Sequence, residues 1–170
     1  MGFEADAPVV RLRDIDIEQV RQLLGLFSLQ LQLVADATAI PGSYWGECEA
    51  GLIGSTVYAR SDTPVHSLLH ESCHLMVIPA ERRRAVHTDA SDSVPEENAT
   101  CYLQLLLAER IDGFGFERAC TDMDLWGYSF RLGSAKTWFL QDAEDASDFL
   151  AERGLLPLPP TPALQPFAEP

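Results

Sequence analysis

The residues best suited to chemistry lie within one five-residue segment, His70-Glu71-Ser72-Cys73-His74. Residues four apart share one face of a helix, so His70 and His74 can direct both imidazoles at a single metal ion. Glu71 is one step round the helix from His70, which brings its carboxylate within reach of a water bound to that ion. Two zinc-binding histidines and a glutamate general base form the H-E-x-x-H arrangement. The segment therefore predicts a metal-dependent site.

The sequence on both sides of this segment favours a helix. The flanking residues are apolar and compatible with a helix, and Asp62 or Thr63 can cap its start. Pro64 suits the first turn, and Pro79 ends the helix after roughly fifteen residues. The alternative is a pair of buried histidines satisfied by hydrogen bonds alone. That alternative is costly, because two buried histidines and an adjacent buried carboxylate would lack a ligand.

A catalytic zinc usually has three protein ligands and one open position. The candidates for the third ligand are Glu96 and Glu97, which open the next predicted helix 22 and 23 residues after His74. On a helical wheel Glu96 lies nearer the centre of the apolar stripe than Glu97. We therefore predict Glu96 as the third ligand, with Glu97 as the alternative. The stripe consists of Ala99, Leu103, Leu106 and Leu107.

Length and composition predict one globular domain. The chain has 170 residues, of which 46% are hydrophobic, enough for a real core. We predict a single metal-binding domain over residues 1–156. Residues 157–170 hold six of the eleven prolines and are predicted to form an extended tail. The four cysteines contain no C-x-x-C pair, so a cysteine zinc site is not indicated.

Charge and hydropathy limit the classes of partner that the sequence predicts. Twelve basic residues face 26 acidic ones, and the net charge of −14 disfavours binding to nucleic acid. No apolar stretch reaches eighteen residues, so no membrane span is expected. The first residues lack the basic segment and apolar run of a signal peptide, and a cytoplasmic location is the expectation.

Periodicity predicts an α+β fold. A small sheet of two to four strands is expected to pack against the two metal-bearing helices. The predicted strands cover residues 29–35 and 51–60. The predicted helices cover residues 14–26, 64–78 and 96–111, with shorter ones near 117–122, 134–141 and 143–153.

H-E-x-x-H on one helix and a glutamate opening the next resemble the zincin metallopeptidases, in their glutamate-liganded branch. The segment Glu96-Glu97-Asn98-Ala99 also resembles the E-x-x-A segment of small bacterial regulatory metallopeptidases. The resemblance covers roughly residues 50–110. It implies a zincin-like fold, in which a small sheet packs on the metal-binding helix and the following glutamate-bearing helix.

The zincin resemblance also implies an activity, which is zinc-dependent hydrolysis of peptide bonds in a peptide or protein substrate. His70, His74 and Glu96 would bind zinc, which lowers the pKa of its bound water toward ~7. Glu71 would take the proton, and the hydroxide would attack the polarised carbonyl. The predicted strand over residues 51–60 would be the edge along which an extended peptide lies.

The sequence leaves two further roles unassigned. An oxyanion donor is expected, with His87, Tyr102 and Tyr128 as candidates. His66, one turn before His70 on the same face, is interpreted as a partly buried structural histidine. The alternative is that it supports a ligand or binds metal itself.

A second resemblance covers more of the chain and leads to different chemistry. The order of strand, metal helix, arginine-rich exit, glutamate helix and glycine-aromatic turn is similar to the bacterial elongation factor P hydroxylase family. The matching segments are His70 to His74, Arg82-Arg83-Arg84 and Gly113-Phe114-Gly115-Phe116, whereas Leu75-Met76-Val77 departs from that family's Trp-Cys-Ile. This resemblance implies iron and an oxidative reaction.

Three functions follow as hypotheses. The first is a zinc hydrolase. The second is an iron-dependent hydroxylase, because two histidines and one carboxylate with open positions are also the ligand set of non-haem iron oxygenases. The third is a catalytically inactive module that retains the metal for stability.

Overall fold

A computed structural model describes residues 8–90 and 93–161 and confirms an α+β architecture. The strands are β1 (Gln30–Leu33), β2 (Gly51–Ile53) and β3 (Thr56–Ala59). The helices are α1 (Ile17–Gly25), α2 (Val65–Val77), α3 (Ala80–Arg83), α4 (Val94–Ala108), α5 (Gly115–Trp126), α6 (Ala135–Gln141) and α7 (Glu144–Glu152), and single 3-10 turns cover Leu12–Asp14 and Arg131–Gly133.

The sheet is small and mixed, with strand order β1-β3-β2. β1 runs parallel to β3, with Leu31 opposite Val57, and β2 pairs with β3 in an antiparallel hairpin. The prediction of one continuous strand over residues 51–60 is wrong. Gly54 has a φ of 60°, a left-handed conformation that glycine adopts readily, and the chain reverses there.

The outer edge of β2 is covered by two loops. The Leu52 amide donates to the Gly42 carbonyl over 3.2 Å, and the Leu52 carbonyl accepts from the Thr88 amide over 2.8 Å. β3, the strand that leads into α2, is the central strand of the sheet. The expectation that residues 51–60 offer a free edge to a peptide is therefore wrong, because the outward backbone groups of Leu52 are already bonded.

Helix α2 forms the centre of the core and follows the predicted helix to within about a residue at each end. Its N-cap is Pro64 without a side-chain cap, so the predicted capping by Asp62 or Thr63 is not observed. At its other end the Arg83 guanidinium donates to the Leu75 carbonyl over 2.8 Å and so binds the last turn. Its fully buried apolar residues are Val65, Leu68, Leu69, Cys73 and Leu75.

Helix α4 packs against α2, α5 and α7 and is buried over most of its circumference. It begins at Val94, where the Ser93 side chain caps the helix by accepting from the Glu96 amide over 3.3 Å. The apolar residues of α4 therefore face several neighbours, and this explains why its hydrophobic pattern did not identify the side that meets α2.

The C-terminal part of the chain is described only to residue 161. Residues 157–161 have no regular structure, and the Arg110 side chain donates to the Pro159 carbonyl. The rest of the predicted tail, residues 162–170, lies outside the described residues, and the division at residue 156 stays a prediction. Within the described ranges, no helix has both the length and the apolarity needed to cross a bilayer.

Candidate metal centre

Helix α2 holds two imidazoles against each other. His70 and His74 lie one turn apart, and their Nε2 atoms are separated by 3.2 Å. Glu97, at the start of α4, spans the pair. Its Oε1 is 3.1 Å from His70 Nε2 and its Oε2 is 3.0 Å from His74 Nε2. These three residues are the group that could hold a metal ion within the described parts of the chain.

Glu97, and not the predicted Glu96, meets the histidines. Glu96 does point inward and is only 7% exposed, but its Oε1 pairs with the Arg82 guanidinium over 2.7 Å. The wheel argument assumed that the apolar stripe of α4 faces α2. The side that carries contacts to the α2 histidines is instead a stripe of polar and small residues at helical spacing. It consists of Glu97, Thr100, Cys101 and Gln104.

Gln104 fixes the orientation of His70. Its side-chain amide donates from Nε2 to the His66 carbonyl over 2.9 Å, and a carbonyl can only accept. The amide oxygen must then face His70 Nδ1, which lies 2.9 Å away. His70 therefore carries a proton on Nδ1 and donates it to Gln104. The lone pair of the neutral ring is left on Nε2, the atom that faces Glu97.

The Thr100 hydroxyl lies beside the other ring nitrogen of His74. The Thr100 hydroxyl donates to the Glu96 carbonyl over 2.8 Å, so towards His74 its oxygen acts as an acceptor. His74 Nδ1 lies 3.5 Å from that oxygen, a longer contact than the one at His70. The Nε2 atoms of the two rings thus face a common point, where a cation or a proton can be held between them.

The spacing of the donor atoms suits a cation. Donors about 2.0–2.1 Å from a tetrahedral metal are separated from each other by roughly 3.3 Å. Here the two imidazole nitrogens are 3.2 Å apart, and each of them lies 3.0–3.1 Å from a different oxygen of the Glu97 carboxylate. Two imidazole nitrogens and a carboxylate fit both zinc and ferrous iron.

The protonation of the metal-free site follows from these contacts. Burial alone would lower the pKa of His70, but Tyr128, Cys101 and Glu97 more than compensate and raise it well above its usual range. Burial alone would raise the pKa of Glu97, yet its hydrogen bonds to His70 and His74 hold it far below the ordinary value. The site thus favours positive charge between the carboxylate and the imidazoles, and a divalent cation can take the place of that proton.

Glu71 faces the same cavity as the three candidate ligands. Burial raises the pKa of the Glu71 carboxyl, and the neighbouring His70 and His74 act in the opposite direction. A carboxylate with a raised pKa beside two candidate metal ligands is suited to accept a proton from water and to release it later. The structure thus brings together His70, Glu71 and His74 as the sequence predicted.

The cavity has a volume of about 430 Å³. Loop residues around Tyr44 and Asp89 form part of its wall, together with α2, α4 and the segment that follows α5. Its side chains are acidic, aromatic or neutral. The lining residues used below are Tyr44, Trp45, Glu49, Asp89, Trp126, Tyr128 and Phe130, besides those already named.

Tyr128 is the one oxyanion candidate that lines this cavity. Its ring packs edge-on against the His70 ring, with centroids 5.4 Å apart. Of the other candidates, Tyr102 stacks on Phe139 at 4.4 Å, and His87 hydrogen-bonds its neighbour Thr88. Neither of them lines the cavity.

His66 lies behind Tyr128 and is not part of the metal cluster. Its Nδ1 is 3.2 Å from the Tyr128 hydroxyl, and the residue is completely buried. Burial lowers the pKa of His66 to about 3, so the ring is neutral. This agrees with a structural interpretation, in which His66 supports Tyr128 and, through its carbonyl, Gln104.

Sequence reasoning did not identify Gln104, Thr100 or Glu49. A usable signal for the first two was the helical spacing of polar residues in α4, at positions 97, 100 and 104. Glu49 carried no such signal, because it comes from a loop that only the tertiary fold brings to the cavity.

Comparisons with protein-family models, with curated proteins and with solved structures find no match to this chain. The two family resemblances therefore rest on their motif residues. For the zincin resemblance, the observed group of two histidines and one glutamate is consistent with that branch, with Glu97 in the place predicted for Glu96.

Proposed function

We propose that this protein is a metal-dependent hydrolase that cleaves an amide bond in a peptide or protein substrate. His70, His74 and Glu97 are the ligands, and Glu71 is the general base. The observation that carries the proposal is the convergence of three donor groups at 3.0–3.2 Å beside an accessible carboxylate. Zinc is the cation of choice in this proposal, because the site resembles that of the glutamate-liganded zincins.

The chemistry divides between the cation and the protein. A divalent cation supplies a positive charge that polarises the substrate carbonyl and acidifies a water molecule. Glu71 accepts one proton as the water oxygen attacks the carbonyl carbon. The carbon–nitrogen bond then breaks, and Glu71 returns the proton to the departing amine. The products are a carboxylic acid and an amine, so the atoms of one water molecule are accounted for.

Tyr128 completes the proposed machinery. Tyr128 lines the cavity beside the His70 ring, and its hydroxyl lies 3.2 Å from His66 Nδ1. With His66 Nδ1 as the donor in that contact, the hydroxyl proton is available to the carbonyl oxygen as negative charge develops there. A substrate reaches these groups through the cavity, since the outer edge of β2 is bonded to the two loops that cover it.

The first test compares wild type with Glu71→Gln. The protein is purified without chelators and under anaerobic conditions, its metal content is measured, and hydrolysis of a fluorogenic peptide library is followed. Wild type should contain zinc and cleave members of the library. Glu71→Gln should keep the metal and the fold but lose about a hundredfold or more in rate, the scale of a missing general base.

The control is Glu81→Gln, an exposed residue of α3, which should behave as wild type. Bound iron together with oxygen consumption would contradict the hydrolase and support the hydroxylase hypothesis. If wild type is fully loaded with zinc or with iron and cleaves no peptide in either form, the result would favour a module that uses the metal for stability alone.

A further inference from the structure

Apart from the two candidate ligands His70 and His74, the wall of the cavity has carboxylates and no lysine or arginine. Four of the lining residues are carboxylates, Glu49, Glu71, Asp89 and Glu97. All twelve lysines and arginines of the chain lie in residues 8–90 and 93–161, and none of them lines the cavity. The segments that are not described therefore cannot contribute a lysine or arginine side chain to this wall.

A divalent cation does not balance these charges. Of the three carboxylates Glu49, Glu71 and Glu97, two are matched by its two positive charges and one remains. Inside a partly enclosed cavity, charges interact more strongly than in water. The remaining carboxylate would repel an anionic group that enters the cavity and attract a cationic group.

Glu49 is built into this wall in a fixed orientation. It is 9% exposed, and its two oxygens accept from the Ser67 hydroxyl over 2.9 Å and the Trp126 indole over 2.6 Å. An ionised carboxylate has about four lone-pair directions, and these two bonds use two of them. The remaining acceptor capacity can serve a donor in the cavity.

Aromatic side chains line the same cavity. Tyr44 and Trp45 are exposed at 64% and 51% and meet edge to face with centroids 4.9 Å apart. Tyr128 and Phe130 stack with centroids 6.3 Å apart. Aromatic faces accept both apolar groups and cations. They supply contact area to a ligand without adding positive charge.

We infer that the substrate of this cavity carries a protonated amino group close to the carbonyl that is attacked, next to an apolar or aromatic group. Glu49 is the specificity-determining residue that receives the ammonium, and the aromatic side chains receive the apolar group. This inference rests on the proposed hydrolase function, because it assumes a metal at His70, His74 and Glu97. The ammonium can come from a free peptide N-terminus or from a lysine side chain.

The test measures binding of four hydroxamates to the zinc-loaded full-length protein by calorimetry. Three share a benzyl side chain: phenylalanine hydroxamate is cationic, its N-acetyl form is neutral and its N-succinyl form is anionic. The fourth, N-acetyl-lysine hydroxamate, carries its cation on the side chain. The measurements are made at a pH of about 6.5, below the ordinary pKa of an α-amine. All four share the same metal-binding group, so differences report the cavity.

We expect at least one cationic hydroxamate to bind about tenfold more tightly than the N-acetyl form, and the anionic form to bind about tenfold more weakly. The stronger cationic ligand identifies the source of the ammonium. Glu49→Gln should reduce the preference for the cation to within about threefold. The matched control is Glu47→Gln, on the same loop but exposed and outside the cavity, which should keep the full preference.

The wild-type ranking decides the inference even if Glu49→Gln does not fold. Equal affinities across the series would overturn the inference but leave an accessible metal centre, and thus the proposed hydrolase, in place. Tightest binding of the anionic form would overturn it as well. If no hydroxamate binds to protein that contains zinc, the accessible centre itself is contradicted, and the inference fails with the proposed function.

Discussion

At the scale of single residues, the candidate site depends on groups that orient the ligands as well as on the ligands. Gln104 is completely buried and connects the His66 backbone to the His70 ring. Because its own orientation is fixed by a carbonyl, it determines which nitrogen of His70 faces Glu97. Partners of this kind typically change metal affinity by ten- to a hundredfold.

We predict that Gln104→Leu weakens zinc binding by about ten- to a hundredfold while the protein remains folded. The reason is that His70 loses the acceptor that holds its Nδ1 proton. The measurement is competition with a chromophoric chelator, supported by the visible spectrum of the cobalt-substituted protein. Gln104→Glu keeps an acceptor at the same place and should retain more affinity than Gln104→Leu.

The matched control for Gln104→Leu is Ser72→Ala. Ser72 is equally buried, but its hydroxyl donates only to the Leu68 carbonyl of its own helix, over 2.7 Å. Ser72→Ala should therefore leave zinc affinity and the cobalt spectrum unchanged. An unchanged cobalt spectrum in Gln104→Leu would show that the ring orientation of His70 does not depend on this amide.

The two neighbouring glutamates provide a second prediction. Glu97→Gln should lower zinc affinity by about a hundredfold or more, because it removes the charged oxygen ligand. Glu96→Gln should leave affinity within about threefold of wild type, because Glu96 pairs with Arg82 and is not in the group of residues that could hold the metal. Chelator competition at fixed pH measures both. A larger loss of zinc affinity in Glu96→Gln than in Glu97→Gln would restore Glu96 as the third ligand, as the helical wheel predicted.

The sequence predicted that His70, Glu71 and His74 lie together, because five consecutive residues on one helix determine their own geometry. It did not predict Glu97 over Glu96. That choice depends on which side of α4 meets α2, and α4 has neighbours on several sides. For such a helix the hydrophobic stripe does not indicate which side meets α2. The helical spacing of the polar residues Glu97, Thr100 and Gln104 indicates it better.

At the scale of elements, the helices were the more predictable part. The boundaries of α2 were predicted from proline positions and apolar flanks, which are local signals. The hairpin of β2 and β3 was missed because Gly54 and Ser55 lie between residues that favour strands, Ile53 before them and Val57 and Tyr58 after them. The covering of β2 by two loops depends on contacts between distant parts of the chain and had no local signal.

Gly51 shows how closely one of these loops packs on β2. A Cβ atom at this position would overlap the Pro41 carbonyl oxygen and the Ser43 amide. We predict that Gly51→Ala lowers the free energy of unfolding by about 1–3 kcal/mol, the usual cost of overpacking, and that it disturbs the cavity wall that follows in the same loop. Chemical denaturation provides the measurement.

Gly25→Ala is the control for this substitution. Gly25 ends α1, and a Cβ there would have no neighbour within 4 Å. Because alanine restricts the unfolded chain, this change should stabilise the protein by about 0.4–1 kcal/mol. Equal changes in the free energy of unfolding for Gly51→Ala and Gly25→Ala would mean that the loop does not pack tightly against β2 at Gly51.

At the scale of the whole molecule, the metal should be linked to folding. The ligands come from two helices, α2 and α4, so an intact site exists only in the folded state. A cation that binds the folded state alone stabilises it by about 2.7 kcal/mol when its free concentration is a hundred times the Kd.

We therefore predict that zinc at this concentration raises Tm by roughly 5–11 °C for a chain of this size, and that a chelator reverses the increase. Differential scanning calorimetry measures the change. His74→Ala should show no increase, since it lacks one of the two nitrogen ligands. An equal increase in His74→Ala would place the stabilising zinc at another site.

The central claim is that His70, His74 and Glu97 form one metal site. The most direct test is an anomalous difference map from crystals of the zinc-loaded protein, with data collected at the zinc absorption edge. The account predicts a single strong peak about 2.0–2.2 Å from the Nε2 atoms of both histidines and from a Glu97 carboxylate oxygen. A peak bound to Glu96 in place of Glu97, or no peak between the two histidines, would contradict it.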